Sequence, residues 1–168
     1  MMNTLNAEKS NSPQSESGGG NGEKNVPQKN GPGKWRTDNT LGTNMTEKQA
    51  MYQEQISGRK ASEGYYVNGR QFDAYKDDKL IDAKHLENEG RFAKAYENMN
   101  KGKFGDIEYL VDKGEKLLDQ ARAQVKAAKG VPTEWHVSGE IAAKALNRLF
   151  KAYDIPISVK HVAAKFPW

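Results

Sequence analysis

The segment from Gly69 to Lys84 reads GRQFDAYKDDKLIDAK and predicts a β-hairpin. Two β-prone runs, residues 70–75 and 80–84, flank the polar stretch 76–79, which is typical of a turn. If Asp77 and Asp78 form the loop, the register of the two strands follows by pairing outward from them. The predicted cross-strand pairs are Lys76 with Lys79, Tyr75 with Leu80, Asp73 with Asp82 and Gln71 with Lys84.

The two faces of this hairpin differ in chemistry. Side chains alternate along a strand, so one face carries Asp73, Asp82 and Lys84. The other face carries only apolar side chains, which are Phe72, Ala74, Ile81 and Ala83. A one-residue slip would bury the charges, so the pattern specifies the register. Two carboxylates opposite each other destabilise a hairpin, and the simplest compensation is a bound divalent cation beside Lys84.

Length and composition limit the classes of protein. The 168 residues suffice for one domain with a hydrophobic core. There is no cysteine, which excludes disulfides and thiolate metal sites. No apolar run approaches ~18 residues, so no membrane-spanning helix is expected, and no ordinary signal peptide is recognisable. The net charge of +4 permits contact with nucleic acid without arguing for it.

The chain divides into two parts by composition. Residues 1–44 are rich in Gly, Pro, Asn, Ser and Gln and poor in apolar residues. Such a segment buries too little surface to offset its chain entropy, so we predict a flexible linker or tail. Residues 45–168 are predicted to form the only globular domain.

The first predicted helix begins at a capping box formed by Thr46 and Gln49. It is expected to run to Ser57 and to stop at Gly58. Glu54 is expected on the inward-leaning face of this helix. The later elements are predicted as strands 64–67, 70–75 and 80–85, a helix 87–99, a helix 107–129, a strand 134–137, a helix capped by Ser138, and a strand 157–162. A three-strand meander followed by helix–strand crossovers predicts an α/β (α+β) fold, a mixed sheet with flanking helices.

The charged face of the hairpin suggests metal-dependent phosphodiester chemistry. Magnesium prefers oxygen ligands and keeps several waters, and Asp73, Asp82 and the carbonyl of Ala83 can supply the oxygens. Such a metal activates a bound water and offsets phosphate charge. Lys84 can orient the water or stabilise the transition state, and Glu54 can add a carboxylate. The alternative is a surface hairpin with solvated charges.

Other polar residues are candidates for the same site. Three lie on the polar side of the predicted helix 107–129 and can contact phosphates or bases, or be solvated: Gln120, Arg122 and Gln124. The three histidines, His85, His136 and His161, lack metal-ligand spacing, and His85 is expected to pack. Trp135 is expected in the core.

The spacing Asp73, eight residues, then Asp82-Ala83-Lys84 resembles the PD-(D/E)XK signature of restriction-endonuclease-like nucleases. Several segments also resemble the restriction-endonuclease-fold toxin domains of bacterial polymorphic toxins. These are Tyr52–Gly58, Asn68–Asp73, Leu80–Lys84, Gln120 with Ala121, and Trp135–Val137. The similarity covers about residues 46–163. It departs from the common pattern at Phe72, where many members have proline, and at Asp82, where glutamate is commoner.

The resemblance implies a function and a set of roles. It implies a DNase toxin that ends a larger secreted protein, such as a type VI secretion effector, and acts in the cytoplasm of a target bacterium. A cognate immunity protein would neutralise it, residues 1–44 would connect it to a delivery module, and Trp168 would be its natural end. It implies Asp73 and Asp82 as ligands of Mg²⁺ or Mn²⁺, Lys84 as the catalytic lysine, Glu54 as the helix acid and a further metal ligand, and Gln120 as an accessory residue.

Two other functions remain open from the sequence. One is a nuclease of the same fold that acts on RNA or on a special DNA structure. The other is a non-catalytic module that binds nucleic acid or protein and keeps the fold.

Overall fold

A computed structural model describes residues 31–40 and 43–166, and all of these from Pro32 onward belong to one compact unit. This part of the chain has four helices and seven strands, and the strands form two sheets. The elements are β1 (Lys34–Thr37), α1 (Glu47–Ser57), β2 (Glu63–Val67), β3 (Arg70–Phe72), β4 (Ala74–Lys76), β5 (Lys79–Lys84), α2 (Arg91–Asn100), α3 (Ile107–Ala128), β6 (Thr133–Val137), α4 (Glu140–Ala152) and β7 (Ile157–His161).

The first sheet is antiparallel, with the strand order β1-β2-β3. Asn68 and Gly69 form the tight turn between β2 and β3, and both have positive φ, as this turn requires. The Asn68 side chain donates a 2.7 Å hydrogen bond to the carbonyl of Ala127, which ties the hairpin to the end of α3. Strand β1 was not predicted, since it lies inside the segment 1–44 that composition assigns to a linker. Residues 1–30 and 41–42 of that segment lie outside the described part.

The second sheet is mixed, with the strand order β4-β5-β6-β7. Strands β4 and β5 are antiparallel, whereas β5, β6 and β7 run parallel. Helices α2 and α3 connect β5 to β6, and α4 connects β6 to β7. This arrangement confirms the expected mixture of helices with a mixed sheet.

The predicted hairpin register is confirmed where the strands pair. Tyr75 faces Leu80 and Lys76 faces Lys79. Asp77 and Asp78 form the two-residue loop with φ of 53° and 62°. Positive φ at both loop positions matches the right-handed twist of the flanking strands, so this loop sets the register.

The long strand predicted for residues 70–75 is broken at Asp73. The part before the break, β3, belongs to the first sheet, and the part after it, β4, belongs to the second. Phe72 therefore packs with Leu80 in one cluster, while Ala74 packs with Ile81 in another. The prediction that Phe72 shares a face with Ala74 is wrong, because the break rotates the strand as a bulge does.

Helices cover both faces of the second sheet. On one face Tyr52 and Ile56 of α1 pack against Ala74 and Ile81. On the other, the apolar sides of α3 and α4 pack around Trp135. Strand β5 thus runs between α1 and α3, and side chains near its carboxyl end lie between these helices.

Helix ends were predicted with mixed success. The Thr46–Gln49 capping box is present in both directions, at 3.1 and 2.9 Å, and Gly58 ends α1 with a φ of 74°. At α4, however, the cap is Gly139 rather than Ser138. A Cβ at Gly139 would clash with the carbonyl of Leu86. The close approach leaves room only for glycine.

Asn88, in the loop after β5, caps the start of α4 in place of the predicted Ser138. The Ser138 hydroxyl accepts a hydrogen bond from the amide of Leu86 at 3.0 Å. The amide of Ile141, in the first turn of α4, donates to the Asn88 side chain at 3.1 Å. These two bonds fasten the end of β5 to the start of α4.

The chain after β7 packs against α1, where Val162, Ala164 and Phe166 contact the cluster that contains Tyr52 and Ile56. The Gln55 side chain accepts from the amide of Lys165 at 2.8 Å and donates to the carbonyl of Ala163 at 2.9 Å. The Tyr52 hydroxyl donates to the carbonyl of Val162 at 2.6 Å. Residues 167–168, including the predicted end at Trp168, lie outside the described part. In the part described, no helix is long and apolar enough to cross a membrane.

Candidate metal and phosphodiester site

A cleft of about 590 Å³ opens at the carboxyl end of β5. It is bounded by α1, α3, β5 and the β2–β3 hairpin. The side chains that line it are mostly polar, and they include Gln49, Gln53, Arg70, Gln71, Asp73, Asp82, Lys84, His85, Lys113 and Gln120. Four of the five predicted site residues are therefore in one cleft.

Asp73 is held at the break between β3 and β4. Its amide donates to the carbonyl of Ile81 at 3.0 Å, and its carboxylate accepts from the amide of Ala83 at 2.8 Å. The carboxylate thus satisfies a backbone amide of β5 where β3 has left this sheet. Burial, and next the negative charge of Asp82, raise the pKa of Asp73 well above its ordinary value, against the Ala83 hydrogen bond and the positive charge of Lys84.

Asp82 projects from β5 and is only 4 % exposed. Its Oδ1 accepts a 3.2 Å hydrogen bond from Nε2 of Gln124. Its Oδ2 lies 2.7 Å from Nζ of Lys84, yet it receives no hydrogen bond of good geometry from the described residues. One buried carboxylate oxygen therefore retains acceptor capacity.

Lys84 lies two residues beyond Asp82 on the same face of β5, as alternation predicts. Its ammonium contacts three groups: Oδ2 of Asp82, Oε1 of Gln120 at 2.7 Å, and the Trp135 ring, whose centre is 4.5 Å away. These contacts fix the ammonium at the base of the cleft. The aromatic face adds a cation–π attraction.

Helix α3 supplies two amides that hold the site together. Gln120 was predicted as an accessory residue, and it does contact Lys84. Gln124 was placed on the polar side of the helix, but it is fully buried. Its Oε1 accepts from Nε1 of Trp135 at 2.7 Å while its Nε2 donates to Asp82. The spacing of four residues between the two glutamines is the signal that places both on one helix face.

Glu54 does not line the cleft, which corrects its expected inward position. Its carboxylate accepts a 2.8 Å hydrogen bond from the amide of Ala61, and so it stabilises the loop after α1. Its neighbour Gln53 is buried and faces the cleft, and Gln49 lies one turn earlier. Helix α1 therefore contributes amides rather than a carboxylate to the site.

Arg122 and two of the three histidines also lie away from the cleft lining. Arg122 is exposed and lies 3.9 Å from Asp119. His136 lies 3.0 Å from Glu134, and His161 contacts the carbonyl of Ser138. These positions give them no part in the cleft chemistry.

His85 borders the cleft but is packed against aromatic rings, as expected. Its ring centre lies 5.8 Å from that of Tyr52 and 6.0 Å from that of Phe166. Its Nε2 lies 3.4 Å from the carboxylate of Glu87. Burial lowers the pKa of His85, Glu87 opposes this shift, and Lys48 adds to it. A neutral packing histidine fits this position.

A second ionic cluster lies on the sheet outside the cleft. Glu134 contacts Lys79 at 3.0 Å, Lys160 at 3.4 Å and His136. Burial raises the pKa of Glu134, but hydrogen bonds from His136 and Lys79 and the charge of Lys160 outweigh it and lower the pKa to about 2. Its charge is thus balanced within the cluster.

The carboxylate pair fits a hard divalent cation. Residues 31–40 and 43–166 contain no group of three or more His, Asp or Glu side chains arranged for metal binding. Magnesium, however, is commonly held by one or two carboxylates with waters completing its shell. Asp73 and Asp82 repel each other in a buried place, and Asp82 has an oxygen without a hydrogen bond. A cation would relieve the repulsion between the carboxylates and would bind the Asp82 oxygen that lacks a hydrogen bond. The carbonyl of Ala83 could be a further ligand.

Comparisons with known proteins do not assign the chain. It matches no protein-family model, and comparison with curated proteins and with solved structures gave no match.

Proposed function

We propose that this protein is a metal-dependent nuclease that hydrolyses DNA phosphodiester bonds. The observation that carries the proposal is the convergence of Asp73, Asp82 and Lys84 in one cleft, with both carboxylates buried. Burying two like charges is costly unless something compensates them. Lys84 supplies one positive charge, and a divalent cation would offset the negative charge that is left.

The chain's own residues have distinct parts in this reaction. Asp73 and Asp82, with the carbonyl of Ala83, would hold Mg²⁺ or Mn²⁺. Such a metal supplies Lewis acidity and a water of lowered pKa. Lys84 holds its ammonium where negative charge develops on the phosphate in the transition state. Gln120 fixes the position of that ammonium, and Gln124 fixes the orientation of Asp82.

The architecture also favours this proposal. A hairpin carries the acidic pair and the lysine, and a parallel crossover through α2 and α3 returns to β6 beside them. This order is compatible with a restriction-endonuclease-like fold, and we propose that assignment. Glu54 has no part in it, because its carboxylate is engaged by Ala61.

The biological setting is proposed on the segment resemblances alone. A domain of this kind would be delivered into a target bacterium, act in its cytoplasm and be neutralised by an immunity protein. Expression of the chain from a tight promoter in a bacterium tests this part. Growth arrest with DNA loss, absent in a Lys84→Ala variant, is expected. Normal growth with abundant folded protein would contradict it.

A panel of nucleic acids tests the substrate. Purified protein is incubated with duplex DNA, single-stranded DNA and tRNA in magnesium and in EDTA. Magnesium-dependent loss of duplex DNA with intact tRNA is expected. Cleavage of tRNA alone would replace the proposal with an RNase of the same site, and cleavage of none would support a binding module.

A further inference from the structure

A lysine side chain that was not predicted as a site residue, that of Lys113, lines the same cleft. Lys113 projects from α3 and is half-buried among the cleft residues. It lies on the helix face that also presents Leu117, Gln120 and Gln124, since the spacings are four, three and four residues. One face of α3 thus carries Lys113 and Gln120, which line the cleft, and the fully buried Gln124.

Within the described part of the chain, no carboxylate balances the charge of Lys113. Among the residues that the structure describes, no Asp or Glu lies within ion-pair distance of its ammonium, whereas Lys84 has Asp82 and Lys116 has Asp112. Burial, and next the charges of Lys84 and Lys116, lower the pKa of Lys113. A partly desolvated ammonium beside a second ammonium is an arrangement that favours an anionic ligand.

We propose that Lys113 is a phosphate-binding residue, which contacts a backbone phosphate of the nucleic acid next to the one that reacts beside Lys84. This inference rests on the proposed nuclease function and specifies its substrate as a polynucleotide strand with consecutive phosphates. Lys113 positions the strand and takes no part in the chemical step. Phosphate contacts of this kind fix register and contribute affinity that depends on salt.

Helix α3 provides a matched control in Lys116. It lies three residues from Lys113, is exposed, and pairs with Asp112 at 3.4 Å outside the cleft lining. Lys113→Gln and Lys116→Gln remove the same charge from the same helix. A general electrostatic effect would weaken binding equally in both variants, whereas a specific phosphate contact would be lost only in the first.

The test is the salt dependence of binding to a short fluorescent DNA duplex in EDTA, where no cleavage occurs. Lys113→Gln is expected to bind about tenfold more weakly, with the salt slope smaller by about 0.9, as for one lost phosphate contact. Lys116→Gln is expected to keep the wild-type slope. Equal slopes for both variants, or no binding by the wild-type protein, would overturn the inference.

Cleavage kinetics separate this inference from the proposed function. In magnesium, Lys113→Gln is expected to raise KM with kcat little changed, as expected for lost uniform binding. Cleavage by the wild-type protein with unaltered binding by Lys113→Gln would overturn the role of Lys113 and leave the nuclease intact. If Lys113→Gln binds more weakly but the wild-type protein does not cleave DNA with any metal, Lys113 contacts phosphate as proposed and the proposed nuclease function is wrong.

Discussion

The Gln124 side chain donates a hydrogen bond from Nε2 to Oδ1 of Asp82, 3.2 Å away, in the interior of the protein. The same amide accepts from Nε1 of Trp135, so its two ends are both used. Its orientation is therefore determined, since a flipped amide would face Trp135 with a donor. This relationship couples the packing of α3 on β6 to the position of the candidate metal ligand.

Replacing Gln124 by Leu is expected to destabilise the fold. The change leaves Nε1 of Trp135 and Oδ1 of Asp82 without partners, at about 1–3 kcal/mol for each buried group. Urea unfolding should show a lower midpoint with an unchanged m-value. Gln120→Leu is the control, because it removes one bond to Lys84 at the cleft and should cost less. Equal midpoints for the two variants would contradict this role of Gln124.

The contribution of Asp73 to the stability of the protein should fall as the pH rises from the acidic range. The pKa of Asp73 is raised in the folded state above its ordinary value of 3.8. The folded state thus holds the proton more tightly than the unfolded state does. The resulting stabilisation is fully present below the pKa of Asp73 in the unfolded chain, and it is lost as the pH rises through the pKa of Asp73 in the folded protein. Denaturant unfolding across this range, without divalent metal, measures the slope. Asp73→Asn should reduce the slope of the unfolding free energy against pH. An unchanged slope would show that the pKa of Asp73 is not raised in the folded protein.

Divalent metal should stabilise the wild-type protein through the two aspartates. A ligand at 100 times its Kd stabilises by about 2.7 kcal/mol, which thermal unfolding with and without magnesium can detect. Asp82→Ala should abolish the shift. Glu54→Ala should retain it, although its baseline stability falls because Ala61 loses a partner. Loss of the shift in Glu54→Ala would instead place Glu54 in the metal site.

Lys84→Met should abolish cleavage, and it should also lower the stability of the fold because the buried Asp82 loses its ion-pair partner. Removing a transition-state donor of this kind costs about 10²-fold or more in kcat, and plasmid digestion measures it. Lys79→Met is the control on the same strand, since Lys79 pairs with Glu134 outside the cleft. Similar losses of activity in both variants would show that Lys84 acts only through stability.

Features that depend on near neighbours in the chain could be predicted. The Asp77–Asp78 turn, the Thr46–Gln49 capping box and the long helix α3 all follow from residues within a few positions of each other. The turn then sets the alternation of β5. For this reason Asp82 and Lys84 were correctly placed on one face.

Features that depend on partners elsewhere in the chain could not be predicted from the sequence. The break at Asp73 arises because β3 pairs with β2 while β4 pairs with β5, and no Gly or Pro marks it. Periodicity also treats a satisfied buried amide such as Gln124 as a polar surface residue. Glu54 was assigned inward from its spacing, but the amide that binds it, that of Ala61, belongs to the loop that follows.

The most direct test of the central claim is digestion of plasmid DNA by the purified protein, in magnesium and in EDTA, beside the Asp82→Ala variant. Loss of supercoiled plasmid is expected in magnesium with the wild-type protein alone, and intact plasmid is expected in EDTA and with the variant. Intact plasmid in magnesium with folded wild-type protein, or equal cleavage by Asp82→Ala, would contradict it.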